Sequence, residues 1–439
     1  MINSIFNFLQ KKLNFIYNSS TILKNIDFLI LCSILMVFVS STFMSSDSIG
    51  MFALATIILT FINLIFRLND KLECNKFEIF LLIYFMTTII SLFGSSMFHL
   101  SLKGFMKILI YLGFYVSVVQ YLKNNKDKIK IILFTIIGCV CFETLNGLLQ
   151  TVIRPEAIST WQDISYLNPE EVITRIYGTL KPYNPNLFGG YLVATIPVLM
   201  TSVAYFIYKK NNMLALISGC FSIAALHVLF QTGCRGAYLG LFAIIISLVA
   251  LGVRFFWNNY KKVFLTVSGV LLSLGTIFVM SVTSLRLRIL SIFIMRGDSS
   301  TSFRFNVYNS CLNMLKDNWL LGIGLGNQNF REIYGLYMKT GFDALSAYNI
   351  FLETALESGI FALLSYVVFL VLVLYEAIRF VKNSVDVESI FYVIAAISVI
   401  IGLIVHGFVD TVFFRPQIHF IFWTMIAIIR TICLQKANN

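Results

Sequence analysis

The sequence predicts an all-α, polytopic membrane protein with about twelve transmembrane helices and a long extracytoplasmic loop that contains short helices. Of the 439 residues, 58% are hydrophobic and 12% are charged, whereas a soluble domain has roughly 25% charged residues. So few polar side chains cannot cover so many apolar ones, which excludes a water-soluble globule. The same apolar excess excludes a disordered chain. We treat residues 1–439 as a single membrane domain.

Twelve apolar runs are long enough, or nearly so, to cross a bilayer, since a helical span takes about 20 residues. They lack the alternating pattern of strands, and lipid leaves no hydrogen-bond partner for backbone outside helices and closed barrels. In chain order the predicted spans are 27–44, 49–66, 77–94, 103–122, 129–151, 187–207, 212–230, 236–256, 262–281, 350–375, 388–406 and 418–434.

Lys and Arg collect in alternate short loops, which indicates the orientation of the chain. Cations cluster in the N-terminal segment and then in every second loop, for example at 67–76, 123–130 and 379–382. Cytoplasmic loops of membrane proteins are rich in such residues. This predicts that both termini are cytoplasmic. The cations of the cytoplasmic loops also account for the net charge of +12, so we expect no nucleic acid as a partner.

Two long loops then fall on the outer face. Residues 152–186 hold four of the six prolines, and residues 282–349 carry seven cations, Arg286 and Arg288 among them, against four acids. Two explanations remain open for the second loop. Long loops are exempt from the charge rule, or the loop binds an anionic substrate.

Two arginines in outer segments are candidate site residues. Arg235 lies between Gly233 and Gly236, where the small neighbours let backbone approach whatever the guanidinium binds; the alternative is an arginine that snorkels to the membrane surface. Arg304 opens an amphipathic stretch that ends in a G-x-G-x-G run at 322–326. This run does not match a dinucleotide fingerprint, and we expect a tight turn there that packs closely.

Acidic residues at two helix ends are further candidates. Asn349, Glu353 and Glu357 stand four apart and share one helix face; carboxylates at the start of a span are costly unless they face protein or a wet cavity. The second group is His406, Asp410 and Arg415, which lie together before Pro416 and suggest the wall of a site. The alternative there is a structural Asp410–Arg415 ion pair. Glu143 lies inside a span and is either functional or held by a core hydrogen bond.

The sequence lacks the patterns of several common catalytic sites. No Ser-His-Asp arrangement, zinc spacing or nucleotide-binding loop is present, so we expect neither metal nor cofactor. If the protein is an enzyme, the energy for the reaction comes with the substrate. Arginines suit a pyrophosphate leaving group, because guanidinium forks neutralise its charge without a metal.

The sequence resembles the O-antigen ligase and polymerase superfamily of bacterial glycan-assembly membrane proteins. The resembling segments are the turn at 235–236, Arg304, residues 318–327 and the helix start at 349–359. Within that superfamily it looks most similar to a subgroup first labelled as cyanobacterial inorganic-carbon (bicarbonate) transporters. The segments that carry this second resemblance are 177–179, 184–190, 346–348 and 406–417.

The resemblance implies a glycosyltransferase of the bacterial cytoplasmic (inner) membrane. Such an enzyme moves a glycan from a polyprenyl-pyrophosphate carrier to an acceptor glycan or glycolipid on the outer membrane face, without metal. Its partners are these two substrates and membrane lipid. The alternatives are a solute or bicarbonate transporter and a non-catalytic partner in envelope assembly.

The resemblance also implies roles for residues. Arg235 and Arg304 grip the pyrophosphate, while Tyr348 stands where the ligases have a histidine implicated in catalysis. Tyrosine, with a pKa near 10, is a poor base at neutral pH. Three alternatives remain open. Glu353, Glu357 or Asp410 acts as the base, the arginines that bind the leaving group suffice for catalysis, or this subgroup has a different function. The catalytic candidates are Arg235, Arg304, Tyr348 and Glu353; the substrate-binding candidates are Arg286, Arg288, Asn349, Glu357, His406, Asp410 and Arg415.

Overall fold

The computed structural model describes residues 16–17, 19–66, 75, 77–153, 175–281, 286 and 300–434. In this part of the chain all regular structure is helical, with no residue in a strand, and thirteen helices have eight or more residues. The first eight are Ile26–Ser41 (α1), Ser46–Phe66 (α2), Glu78–Gly94 (α3), Phe98–Asn124 (α4), Ile129–Ile153 (α5), Pro185–Tyr208 (α6), Asn212–Gln231 (α7) and Arg235–Ser281 (α8). The remaining five are Ser300–Asp317 (α9), Asn327–Tyr334 (α10), Ile350–Asn383 (α11), Val387–Gly407 (α12) and Pro416–Leu434 (α13).

The helices confirm the predicted fold class. Ten of the twelve predicted spans are separate helices, whose starts agree with the prediction to within a few residues. Within the described residues, nine helices are long and apolar enough to cross a membrane, and α1 and α3 are shorter apolar helices. The chain is an all-α, multi-pass membrane protein.

The prediction of two separate spans at 236–256 and 262–281 is wrong. The structure joins them in one helix, α8. The connecting residues, 254–262, contain no glycine or proline that would end a helix. The part of α8 that qualifies as a candidate span is Arg235–Val253.

Side-chain caps fix the starts of two helices that border the site. Asn184 accepts hydrogen bonds from the main-chain nitrogens of Asn186 and Leu187 and begins α6. Asn349 accepts in the same way from Phe351 and Leu352 and begins α11. Asparagine is a favoured capping residue because its side-chain oxygen satisfies amides that the first turn leaves unpaired.

One apolar core runs through the bundle, with buried members from Ile26 in α1 to Ile432 in α13. Helices α6, α12 and α13 are buried over most of their length. Arg430 pairs with Glu78 at 2.9 Å, and this pair is nearly buried. Since Arg430 lies about 20 Å along α13 from Pro416, the pair marks the end of the bundle opposite the start of α13.

A second, smaller core lies under the segment between α8 and α11. It joins α9 and α10 to the start of α11 through Val307, Cys311, Phe330 and Leu356, among others. As predicted from its amphipathic pattern, the stretch that follows Arg304 is helical, and it forms most of α9. This core fixes the chain that carries Ala347 and Tyr348 against the bundle.

The glycine run after α9 makes the close contact that the sequence predicts. Gly322, Gly324 and Gly326 all have positive φ, at 75°, 97° and 96°. The nitrogens of Ile323 and Gly324 donate to the carbonyls of Leu356 and Glu357. Those carbonyls are available because α11 breaks at Gly359, where φ is 83°.

Candidate functional site

A cavity of about 550 Å³ lies at the end of the bundle where α2, α4, α6, α11 and α13 begin. Its walls combine apolar and aromatic side chains with a set of charged and polar groups, as ligand sites commonly do. The charged lining residues are Asp47, Lys107, Glu353, Glu357, Asp410 and Arg415. Asn184, Asn186, Ser346, Tyr348 and Thr411 also line the cavity.

Asp410 is the best-connected acid of the site. Its Oδ2 atom lies 3.4 Å from Nη2 of Arg304 and accepts from Nδ2 of Asn186 at 3.2 Å. Its Oδ1 atom accepts from the main-chain nitrogens of Thr411 and Val412. The alternative Asp410–Arg415 ion pair is therefore wrong: the cation that pairs with Asp410 comes from α9, because the small second core holds that helix over the turn between α12 and α13.

Asn186 and Arg175 extend this network, and sequence reasoning missed both. Arg175 donates to the side-chain oxygen of Asn186 at 2.5 Å and to the carbonyl of Thr232 at 2.8 Å. It thus joins the start of α6 to the turn before α8. For Asn186 the sequence did contain a signal: Asn-Pro-Asn at 184–186 places two side-chain amides at the start of a helix.

Glu353 and Glu357 both line the cavity, one turn apart on α11. Oε2 of Glu353 accepts from the nitrogen of Ala347 at 3.1 Å. Oε1 of Glu357 accepts from the nitrogen of Gly326 at 2.7 Å. Each carboxylate is thus held through one oxygen by the chain between α9 and α11, while the side chain faces the cavity.

Tyr348 stands beside Arg304 in an uncommon backbone conformation. Its φ is 51°, which for a residue other than glycine stores strain of about 1–3 kcal/mol and is typical of functional sites. The guanidinium of Arg304 lies 5.6 Å from the centre of its ring, and its carbonyl accepts from the hydroxyl of Tyr308 at 3.1 Å. Burial, together with the charge of Asp410, raises the pKa of Tyr348 above its ordinary value, so this side chain is a neutral phenol at neutral pH.

Asn349 and His406 are placed behind the cavity wall. Besides capping α11, Asn349 donates to the carbonyl of Phe408 at 3.1 Å. His406 is fully buried, with Nε2 3.7 Å from the sulfur of Cys234. Burial raises the pKa of Cys234, so its thiol is neutral. Neither Asn349 nor His406 is among the described residues that line the cavity.

Arg235 begins α8 between Cys234 and Gly236. A side chain at Gly236 would meet the ring of His406 at 2.6 Å, so this turn packs directly on the end of α12. Arg235 is half-buried, and the cavity lining among the described residues includes neither Arg235 nor Arg304.

The structure does not place Arg286 with these groups. Arg286 is exposed and donates to the carbonyl of Met280, beyond the last turns of α8. Arg235 begins α8, whereas Arg286 lies beyond the other end of this 47-residue helix, which is about 70 Å long along its axis. Arg288 lies outside the described residues.

Glu143 is held by a core hydrogen bond, which was one of its two interpretations. It is fully buried in α5 and accepts from both the nitrogen and the hydroxyl of Thr179. Gln150 fixes the same turn through the nitrogens of Tyr177 and Gly178. These residues anchor the chain that leads into α6 and do not line the cavity in the described structure.

The described ranges contain no three His, Cys, Asp or Glu side chains close enough together to hold a metal ion. The cavity instead offers four carboxylates, two cations and several amide and hydroxyl groups. Such a set can hydrogen-bond to a polyhydroxy ligand, accept a proton from it and neutralise an anion.

Comparison with known proteins assigns part of the chain. No curated protein matches it. Residues 220–367, about a third of the chain, match the family model described as O-antigen ligase. The matched segment includes Arg235, Arg304, Tyr348, Glu353 and Glu357. This similarity supports the O-antigen ligase superfamily for the chain and does not extend to the bicarbonate-transporter subgroup.

Proposed function

We propose that this protein transfers a glycan from a polyprenyl-diphosphate carrier to a hydroxyl group of an acceptor sugar, at the outer face of a bacterial inner membrane. The main support is that Glu353, Glu357 and Asp410 open into one cavity of about 550 Å³ at one end of the bundle. Two of these acids belong to the segment that matches O-antigen ligase.

The reaction makes three chemical demands on the site. The bond between the anomeric carbon of the glycan and the diphosphate breaks, and polyprenyl diphosphate leaves with the bonding electrons. The acceptor oxygen forms the new bond to that carbon, and its proton passes to a base. A positioned base contributes typically 10²- to 10⁴-fold to such a step, and cations near the leaving group stabilise the charge that develops on it.

Among the three acids, Glu353 and Glu357 fit the role of the base better than Asp410. Both oxygens of Asp410 already accept hydrogen bonds, and one lies next to Arg304. Glu353 and Glu357 each use one oxygen to accept from a main-chain nitrogen. The other oxygen can therefore face an acceptor hydroxyl. We assign Asp410, with Arg304 and Asn186, to positioning the turn that closes the cavity.

A transfer assay tests the proposal. Proteoliposomes that contain lipid-linked glycan and acceptor are expected to convert donor to product with the unaltered protein. Glu353→Gln and Glu357→Gln keep the size of each side chain and remove its charge; at least one of them should lower the rate by about a hundredfold or more. Glu332→Gln is the matched control, because Glu332 is an exposed acid in α10.

The outcomes separate the alternatives. Full activity in both cavity variants would assign the base elsewhere, and an unaltered protein that transfers no glycan would overturn the proposal. The same vesicles report on transport, because uptake of labelled bicarbonate in the absence of any glycan transfer would favour the transporter alternative.

A further inference from the structure

Lys107 is a charged residue that the O-antigen ligase match does not cover. It lies in α4, nine residues after Phe98 and about 14 Å along the helix, within a candidate membrane span. Its side chain lines the cavity. An ionisable group inside a membrane span is costly and typically marks a functional site.

Arg415 is the other cation of the cavity wall, at the start of α13. Tyr111, one turn after Lys107 on α4, also lines the cavity, and its hydroxyl donates to the carbonyl of Phe414 at 3.0 Å. This bond holds the chain next to Arg415 against the same face of α4. The two cations therefore belong to one wall of the cavity.

Across the described residues, the side chains of Lys107 and Arg415 make no ion pair and no hydrogen bond. Arg304 differs, since it pairs with Asp410. An ammonium has three N–H donors and a guanidinium has five. Both residues are exposed, so these donors are free to turn to a ligand in the cavity.

The nearby acids do not need these cations as hydrogen-bond donors. Main-chain nitrogens of Ala347 and Gly326 already donate to Glu353 and Glu357. Lys107 and Arg415 line the same cavity as Glu357 and Glu353. Among the described residues neither cation forms an ion pair with these acids, which leaves room for a ligand that touches both kinds of group.

We propose that Lys107 and Arg415 form a subsite for the diphosphate group of the lipid-linked donor. This deepens the proposed function, on which it rests for the source of the diphosphate. A diphosphate carries several acceptor oxygens, and hydrogen bonds between charged partners are the strong ones. With the leaving group on Lys107 and Arg415, the reacting carbon lies in the cavity close to Glu353 and Glu357.

Direct binding measurements test this subsite without any transfer reaction. The probes are farnesyl diphosphate, inorganic pyrophosphate and, as a neutral lipid, farnesol, each titrated into the purified full-length protein. Lys107→Gln and Arg415→Gln should each weaken binding of farnesyl diphosphate roughly tenfold or more. Lys107→Arg, which keeps the charge, should retain most of the binding.

Lys103→Gln is the matched control. Lys103 lies one turn before Lys107 on α4, is exposed and is not among the described residues that line the cavity; the variant should bind like the unaltered protein. Thermal unfolding of every variant shows whether the fold is retained.

The binding results also distinguish this subsite from the proposed function. If Lys107→Gln and Arg415→Gln bind farnesyl diphosphate as Lys103→Gln does, the subsite is wrong while glycan transfer stands. If inorganic pyrophosphate binds through Lys107 but farnesyl diphosphate does not, the subsite is an anion site and its lipid source is wrong. If neither farnesyl diphosphate nor inorganic pyrophosphate binds the unaltered protein, or if farnesol binds as tightly as farnesyl diphosphate, the subsite is overturned.

Discussion

Nη2 of Arg304 lies 3.4 Å from Oδ2 of Asp410, across 106 positions of the sequence. The side chain of Asp410 is 6% exposed and that of Arg304 is 20% exposed. This pair joins α9 to the turn between α12 and α13 and so closes one side of the cavity. Removing one member of a nearly buried pair leaves the other without its counter-charge, which is more costly than the pair itself is worth.

Arg304→Ala is therefore expected to destabilise the protein by about 1–3 kcal/mol. The measurement is chemical unfolding in detergent, followed by circular dichroism. Arg331→Ala is the control, because Arg331 pairs with Asp343 at 2.9 Å where both side chains are more than half exposed. Such surface pairs contribute about 0–1 kcal/mol. Equal effects of the two variants would contradict a structural role for the Arg304–Asp410 pair.

The break in α11 at Gly359 gives a second prediction. A side chain there would meet the carbonyl oxygen of Leu320 at 2.1 Å, and the φ of 83° is a conformation that essentially only glycine adopts. Gly359→Ala should therefore lower stability by about 3 kcal/mol or more, as measured by thermal unfolding. It should also loosen the segment at 322–326 that packs on the broken helix.

Gly219 is the control for this substitution. It lies within α7, and a side chain there has no neighbour within 4 Å. Alanine at this position should leave stability unchanged or raise it by up to about 1 kcal/mol, since alanine has the better helix propensity. A tolerated Gly359→Ala would mean that the close approach to Leu320 is not needed for the fold.

The third prediction concerns Tyr348. Because burial raises its pKa above the ordinary value of about 10, its hydroxyl stays protonated throughout the range from about pH 6 to pH 9. Tyr348→Phe keeps the ring that faces Arg304 and removes a hydroxyl that does not titrate between about pH 6 and pH 9. We expect a transfer rate within about threefold of the unaltered enzyme and a pH–rate profile of the same shape.

Tyr348→Ala provides the contrast, since it removes the ring as well as the hydroxyl. A cation–ring contact contributes about 0.5–2 kcal/mol, so this variant should lose activity through misplacement of Arg304. If Tyr348→Phe instead abolishes transfer, or removes one limb of the pH profile, Tyr348 acts in proton transfer and the assignment to Glu353 or Glu357 is wrong.

The amino-acid sequence alone determined the helical membrane architecture. Hydropathy is a local property, and each run of about 20 apolar residues must form a helix in lipid because its backbone has no other partners. The starts of α5, α7 and α11 follow the predicted bounds for this reason. The same local information missed the continuity of α8, because the polar residues at 254–262 can form either a loop or a further stretch of helix. The orientation across the membrane stays a prediction from the loop charges.

The tertiary structure decided which charges meet. From the sequence, Arg415 was as plausible a partner for Asp410 as any, yet Arg304 pairs with it and Arg415 faces the cavity. Lys107 lies within the predicted span 103–122 and was not among the candidate site residues, whereas Glu143 could have belonged to the site. A charge is paired, buried or available according to groups hundreds of residues away in the chain, and only the packing of the helices sets those distances.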